Sequence, residues 1–175
     1  MSPPLNGGAA SPDGPEPTSS SGEPRDRKQP DMTRESRLVA GVILVLVPAV
    51  AFGGASLLAM ILGRTAGYLD NPVRQDLWRA GHAHAGVLLV LALVALRYVD
   101  ETRLTGPWLW LARTGVPIAA ILMPAGFFLS ILDPAATEPN PLIVLVAIGG
   151  LFLIGAVVTL GIGLLRSPDA VPRRA

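Results

Sequence analysis

Cysteine is absent from all 175 residues of the chain. This absence excludes disulfides, thiolate metal sites, iron–sulfur clusters and thiol nucleophiles. Charge is scarce as well, because only 15% of the residues are Asp, Glu, Lys or Arg, against about a quarter in soluble domains. The formal net charge of +1 gives no electrostatic reason to expect a nucleic acid as a partner. Lys28 is the only lysine, and such a preference for arginine is typical of bacterial genomes rich in G and C.

Large apolar side chains are almost missing from residues 1–36, which are rich in Pro, Gly and Ser. Such a segment cannot bury enough surface to offset the entropy that ordering would cost. We therefore predict a disordered tail over 1–36. No apolar run follows the first few residues, so the pattern is not that of a signal peptide. Residues 167–175 lie beyond the last apolar segment and are predicted to form a short second tail.

Four long apolar segments fill the rest of the chain, at residues 38–62, 80–98, 108–132 and 142–165. A helix needs roughly 20 apolar residues to cross a hydrocarbon layer of about 30 Å. Continuous apolar runs also lack the alternation that a membrane β-barrel requires. The sequence therefore predicts an all-α fold, a four-helix transmembrane bundle over residues 37–166, in direct contact with the lipid bilayer.

Glycine, asparagine and proline mark the predicted helix ends. Gly63 closes the first helix, and the pairs Gly106-Pro107 and Asn140-Pro141 open the third and fourth. A proline in the first turn of a helix is well tolerated, because its missing N–H has no intrahelical partner there. Asn71-Pro72 is predicted to cap a short amphipathic turn that precedes the second helix.

Basic residues predict the orientation, since they accumulate on the cytoplasmic side of bacterial membranes. The two tails and the loop between the second and third helices hold eleven of the 14 basic residues. This count includes Arg113, which is expected to snorkel to that side. Arg64, Arg74 and Arg79 lie on the other side. Both termini are therefore predicted to be cytoplasmic, in a bacterial inner membrane, with Tyr68 and Trp78 at the outer interface.

Small residues recur every four positions on the first and fourth helices. The two stripes are Ala51, Ala55, Ala59 and Gly155, Thr159, Gly163. In lipid, close approach through small residues drives much of helix association, because apolar burial offers little gain. Each stripe predicts a contact face, unless it only reflects the abundance of Ala and Gly. The partner is either another helix of this chain, another membrane protein or a second copy.

The predicted spans contain no Asp, Glu or Lys. Intramembrane ionisable groups usually mark ion paths and proton relays, so a channel, a pump or an ion-coupled transporter is not favoured. No hydrolase or phosphate-binding motif is present. Ser56, Thr114, Ser130 and Thr159 are expected to bond to backbone or between helices. We favour a non-enzymatic membrane component or small accessory subunit, although a carrier for an apolar solute also fits.

His82 and His84 are the only histidines, and they lie near the outer end of the second helix. Residues two apart on an α-helix point about 200° from each other, so one ion cannot take both unless the turn unwinds at Gly81. One hypothesis is that both are interfacial side chains. A second is haem or copper ligation by one of them, paired with Met60, with Met123 or with a second copy. A third is a pH switch, with a partner among the outer-loop carboxylates Asp70, Asp76, Asp133 and Glu138.

The stretch "GHAHAGVLLVLALV", residues 81–94, resembles the H-x-H start of a transmembrane helix in small bacterial membrane proteins. Those proteins are grouped with the subunit I-like fold of the haem–copper oxidases. The oxidases bind haem and copper through histidines on several helices, whereas this chain has histidines on one. The resemblance therefore implies a haem-associated relative and not a complete oxidase core, with His82 and His84 as the cofactor-binding positions.

Overall fold

The computed structural model describes residues 32–167, and these residues form helices and connecting loops with no strand. The four helices are α1 (Arg34–Leu62), α2 (Pro72–Val99), α3 (Gly106–Leu129) and α4 (Val144–Leu165), the last preceded by a 3-10 turn at Pro141–Ile143. All four are long and apolar enough to cross a membrane. The all-α transmembrane fold is thus confirmed, and the protein is a multi-pass integral membrane protein. The predicted tail segments 1–31 and 168–175 lie outside the described residues.

Two helices begin earlier than the apolar segments do. Thr33 caps α1 by accepting a hydrogen bond from the Ser36 amide, so the helix starts inside the predicted tail. α2 begins at Pro72, where the Asn71 side chain accepts a bond from the Arg74 amide. The amphipathic turn predicted to stand apart is therefore the start of α2. No residue between Pro72 and the apolar run breaks a helix, so the capped turn continues into the span.

The end of α1 and the starts of α3 and α4 lie at the glycine and asparagine residues that were predicted to mark them. Gly63 caps the end of α1, and Gly106 opens α3 at a positive φ of 58°. Asn140 caps the last helical segment by accepting a bond from the Leu142 amide. α3 ends at Leu129, three residues before the predicted limit, and the next residues, Ser130 and Ile131, are buried in the loop.

The helices pack in chain order: α1 lies on α2, α2 on α3, and α3 on α4. α3 is central, since 44% of its most apolar window is buried, against 6% for α1. The buried residues of α1, Ser36, Ile43 and Leu57, are spaced by multiples of seven. That spacing forms a narrow seam, so most of the surface of α1 faces the lipid.

Glycines bring α3 and α4 into close contact. A Cβ atom built on Gly126 of α3 would lie 2.8 Å from the backbone nitrogen of Val146, and one on Gly149 of α4 would lie 3.1 Å from that of Met123. Gly115 meets Ala156 and the Phe152 carbonyl in the same way. Such contacts are the means by which membrane helices associate without a hydrophobic driving force.

The two small-residue stripes differ in where they point. On α4, Gly163 contacts Leu104, and a Cβ on Gly155 would lie 3.6 Å from Leu111. This stripe is therefore used inside the chain. On α1, Ala51, Ala55 and Ala59 are all exposed. Their contact with a second copy or with another membrane protein stays a prediction.

The chain has two distinct ends along the membrane normal. The terminal end holds residues 32–37, the α2–α3 loop and the end of α4, which meet where Thr33 bonds to Asp100 and Gly163 contacts Leu104. The loop end holds residues 63–71 and 130–140, joined by hydrogen bonds from Asn71 to the carbonyls of Pro134 and Ala136. The polar site residues lie near one or the other of these ends.

Candidate functional site: the His82 cleft

His82 and His84 point toward different helices. His82 faces α1, because a Cβ atom on Gly54 would lie 2.7 Å from the His82 Nε2. His84 faces α3, where its ring centroid lies 5.1 Å from that of Phe127. α2 is regular through Gly81. The two rings therefore do not converge, as the 200° separation on a helix requires.

A cleft of about 260 Å³ lies between α1 and α3, with α2 as its floor. We call it the His82 cleft, since His82 is its only lining residue with a polar side chain. Its other lining residues include Leu46, Val50, Gly53, Leu89, Ile121 and Phe128. Ile121, at its rim, is 59% exposed, so the cleft opens sideways toward the bilayer.

The His82 ring lacks polar partners in this cleft. Its Nε2 and Cε1 atoms lie against Gly54, at 2.7 and 2.8 Å from where a Cβ would stand. Within residues 32–167 neither ring nitrogen forms a hydrogen bond. The side chain of His82 is half-buried in this position.

The glycine pair on α1 explains why the ring fits. Gly53 and Gly54 are adjacent in the middle of α1, and Gly53 also lines the cleft. A side chain at Gly54 would displace His82. Sequence reasoning singled out His82 and missed this pair. The signal was the two consecutive glycines in the middle of a span, which often mark close approach.

The two methionines proposed as second ligands lie elsewhere. Met60 is six residues beyond Gly54, or about 9 Å further along the helix axis. Met123 is buried against Gly149 of α4, on the side of α3 away from α1. Among the described residues no group of three or more His, Cys, Asp or Glu side chains could hold a metal ion.

His84 has a bond that His82 lacks. Its Nδ1 donates a hydrogen bond to the Ala80 carbonyl oxygen at 2.7 Å. This bond and the contact with Phe127 hold the ring against its own helix and α3. His84 therefore lies outside the cleft and serves as a natural control for His82.

Aromatic residues close the loop end beside the cleft. Tyr68, which is expected at the outer interface, lies in the loop end, is 1% exposed and packs on Trp78, with ring centroids 6.0 Å apart. Trp78 in turn packs on Phe128 of the cleft at 5.9 Å, and the Arg74 guanidinium lies 4.2 Å from the Trp78 ring. Pro134, packed on Gly67, covers the same region. The contact between the two loops, at Gly67 and Pro134, helps to bury Tyr68. No pattern in the sequence predicts this contact.

A polar network occupies the terminal end. The Asp100 carboxylate accepts bonds from the Thr33 amide (2.9 Å), the Thr33 hydroxyl (3.1 Å), the Ser36 hydroxyl (3.0 Å) and the Arg113 guanidinium (3.3 Å). The side chains of Arg113 and Asp100 are 16% and 4% exposed. Arg113 thus turns inward to Asp100, where sequence reasoning expected it to snorkel to water. We call this network the Asp100 lock, because it ties α1 to α2 and α3.

The pKa of Asp100 reflects this environment. Burial raises it, but the hydrogen bonds from Thr33, Ser36 and Arg113 outweigh burial, and the pKa is lowered from 3.8. The carboxylate is therefore ionised at neutral pH. A lowered folded-state pKa means that its stabilisation is present above the unfolded value and is lost as the pH falls toward the folded value.

Hydroxyl groups in the spans bond mostly to their own helices, as predicted. Ser56 donates to the Phe52 carbonyl, Thr114 to that of Trp110, and Ser130 to that of Phe127. Thr159 forms no such bond within residues 32–167.

Of the carboxylates considered for a pH switch, Asp70 and Asp133 accept bonds from the amides of Gly67 and Ala135. Neither histidine forms an ion pair in the part of the chain that the structure describes.

No protein-family model, curated protein or solved structure matches the chain. The features of the molecule that bear on its function are the His82 cleft and the polar groups at its two ends.

Proposed function

We propose that the protein is a non-enzymatic membrane component of accessory type that binds a small membrane-soluble ligand in the His82 cleft. One observation supports the proposal most: a single imidazole, with no hydrogen bond inside residues 32–167, lines an otherwise apolar cleft. Ligand pockets combine apolar walls with a few placed polar groups in this way. The lateral opening suits a ligand that arrives from the bilayer.

The depth of His82 supports the same proposal. It lies four residues, about one helical turn, beyond Trp78. Arg79 and the first turns of α2 are polar, so the imidazole sits just below the water–lipid boundary. A ligand with one polar group could place that group at His82 and its apolar part in the cleft.

We expect the full-length protein, purified in mild detergent, to retain a bound small molecule. His82→Ala should lose this molecule, because the substitution removes the only polar side chain among the residues that line the cleft. His84→Ala should retain it, since His84 faces α3. Extraction with organic solvent followed by mass spectrometry, at equal amounts of folded protein, measures the retained ligand for the three chains.

Two results would contradict this proposal. The first is equal retention in wild type and His82→Ala. The second is a wild-type chain that carries nothing and that no added membrane-soluble compound stabilises against heat. Circular dichroism of each variant shows whether a loss of ligand is merely a loss of fold.

Haem is a second candidate, as the H-x-H resemblance implies. The observation in its favour is that His82 stands alone, since one axial histidine is enough to hold haem iron. A Soret band that disappears in His82→Ala and persists in His84→Ala would support it. Copper is less favoured, because within residues 32–167 no methionine or second histidine lines the cleft with His82.

We further infer that the terminal end faces the cytoplasm. Among the described residues the terminal end carries Arg34, Arg37, Arg97, Arg103, Arg113 and Arg166, whereas the loop end carries three arginines. A reporter active only in the cytoplasm should be active at both termini and inactive when inserted near Thr137, in the loop between α3 and α4. Activity at Thr137 alone would reverse the orientation.

A further inference from the structure

We infer that the groove between the start of α3 and the end of α4 binds an anionic glycerophospholipid, with the phosphate of the head group at Arg166. This is a second site, at the terminal end of the molecule, and it is independent of the function proposed for the His82 cleft. The groove has a volume of about 230 Å³ and is lined by Leu104, Trp108, Thr159, Ile162 and Arg166. We call it the Arg166 groove.

The polar residues of the groove lie on one face of α4, at two depths. Thr159, Ile162 and Arg166 are three and four residues apart, so they are neighbours along that face. Arg166 caps the end of the helix, where lipid head groups meet water. Thr159 lies seven residues further into the span, or about 10 Å deeper. Side chains of a helix lean toward its N-terminus, which turns Arg166 toward Thr159 and lets both line one groove.

The charge of the groove is positive and uncompensated. Its lining contains no Asp or Glu, and within residues 32–167 the Arg166 side chain forms no hydrogen bond or ion pair. The carboxylates of the α2–α3 loop have other partners, since Asp100 accepts bonds from Arg113 and Glu101 pairs with Arg97. A guanidinium binds phosphate oxygens through two parallel bonds, and basic pockets between membrane helices bind anionic head groups.

The start of α3 adds to this positive potential. Leu104 and Trp108, on either side of the first residues of α3, form the opposite wall of the groove. The side chain of Thr105 makes no capping bond to α3, whereas α1, α2 and the 3-10 turn before α4 are each capped by a side chain. An uncapped helix N-terminus has free amide groups and a positive dipole end, and both attract anions.

The remaining groups favour a lipid over a free anion. Thr159 forms no hydrogen bond within the described residues, so its hydroxyl is available to an ester carbonyl below the phosphate. Trp108 is 61% exposed, and tryptophan is enriched where head groups meet the hydrocarbon layer. Leu104 and Ile162 offer an apolar wall to the acyl chains. An inorganic anion would use Arg166 alone, whereas a phospholipid would use the whole groove.

The test titrates the delipidated full-length protein with phosphatidylglycerol or phosphatidylcholine and measures each affinity by native mass spectrometry. We expect the wild type to bind phosphatidylglycerol more tightly. Arg166→Gln should weaken phosphatidylglycerol binding about fivefold, the contribution expected of one arginine near anionic lipid, and should remove the preference. Thr159→Val keeps the shape of the side chain without the hydroxyl. It should weaken both lipids by a similar factor, because both have ester groups.

Arg34→Gln is the matched control. Arg34 is an exposed arginine of the terminal end that lies on α1, outside the groove, so its loss should leave the preference intact. Circular dichroism shows whether each variant is folded. Four results would overturn the inference: no saturable lipid binding, equal affinity of the wild type for the two lipids, equal losses in Arg166→Gln and Arg34→Gln, or displacement of phosphatidylglycerol by excess inorganic phosphate. None of them bears on ligand retention through His82.

Discussion

Gly126→Ala is expected to destabilise the protein by about 1–3 kcal/mol, the usual cost of overpacking. The added Cβ would lie 2.8 Å from both the backbone nitrogen and the Cγ2 of Val146. A flexible side chain could move aside, but the backbone of α4 cannot move without separating from α3. Because α3 to α4 is the most extensive packing in the molecule, the loss should be global. Unfolding in mixed micelles with increasing dodecyl sulfate, followed by circular dichroism, measures the change.

Gly150→Ala is the matched control for this substitution. A Cβ at Gly150 meets nothing within 4 Å, and alanine is the better helix former by up to about 1 kcal/mol. The control should therefore be neutral or slightly stabilising. If both substitutions had the same effect, glycine would matter through helix propensity alone, and the close approach of α3 and α4 would not limit stability.

Asp100→Ala is expected to destabilise the protein by on the order of 3 kcal/mol. The substitution leaves the guanidinium of Arg113, whose side chain is only 16% exposed, without its carboxylate, and it removes the acceptor for Thr33 and Ser36. Glu101→Ala, next to it, breaks an exposed pair with Arg97 and should cost less than about 1 kcal/mol. Denaturation in mixed micelles again measures both variants, and equal effects would contradict a special role for the Asp100 lock.

A distance measured between α1 and α2 shows whether the Asp100 lock holds α1 in place, separately from its effect on the free energy of unfolding. The chain has no cysteine, so spin labels at Leu38→Cys and Tyr98→Cys, both exposed, report only the α1 to α2 distance at the terminal end. In Asp100→Ala the distribution of this distance should broaden, because the hydrogen bonds that join Thr33 and Ser36 of α1 to the end of α2 are lost. An unchanged, narrow distance would show that the seam through Ile43 and Leu57 holds α1 by itself.

The pH dependence of the Asp100 lock has a definite sign. Since the folded-state pKa of Asp100 is lowered from 3.8, its contribution should be constant through neutral pH. It should decline only below about pH 4 and disappear at pH values under the folded-state pKa. Asp100→Asn should abolish this acid-induced loss while other groups titrate as before.

The Asp100 lock and the His82 cleft are connected through α1. This helix forms one wall of the cleft, and few of its residues are buried. Its attachment depends on the Asp100 lock at the terminal end, on the narrow seam with α2 and on the contact of Gly54 with His82. Ligand retention should therefore be measured in Asp100→Ala too, where a loss would indicate that the wall has moved.

The sequence alone determined the fold class, because four apolar runs of membrane-spanning length leave no other stable arrangement for their backbones in lipid. It also fixed most helix ends, since Gly63, Asn140 and the prolines act locally. It established that His82 and His84 point apart, because that follows from the helical repeat. These features depend on residues that are close together in the sequence, so the sequence alone is enough to predict them.

Only the tertiary structure decided which side chains meet. That His82 lies on Gly54, that Arg113 turns to Asp100 and that Tyr68 is buried depend on contacts between residues far apart in sequence. The stripe on α4 packs inside the chain and the stripe on α1 does not, although both have the same spacing. The physical reason is that four apolar helices in lipid gain little from burial, so close backbone contacts and a few polar bonds select the arrangement.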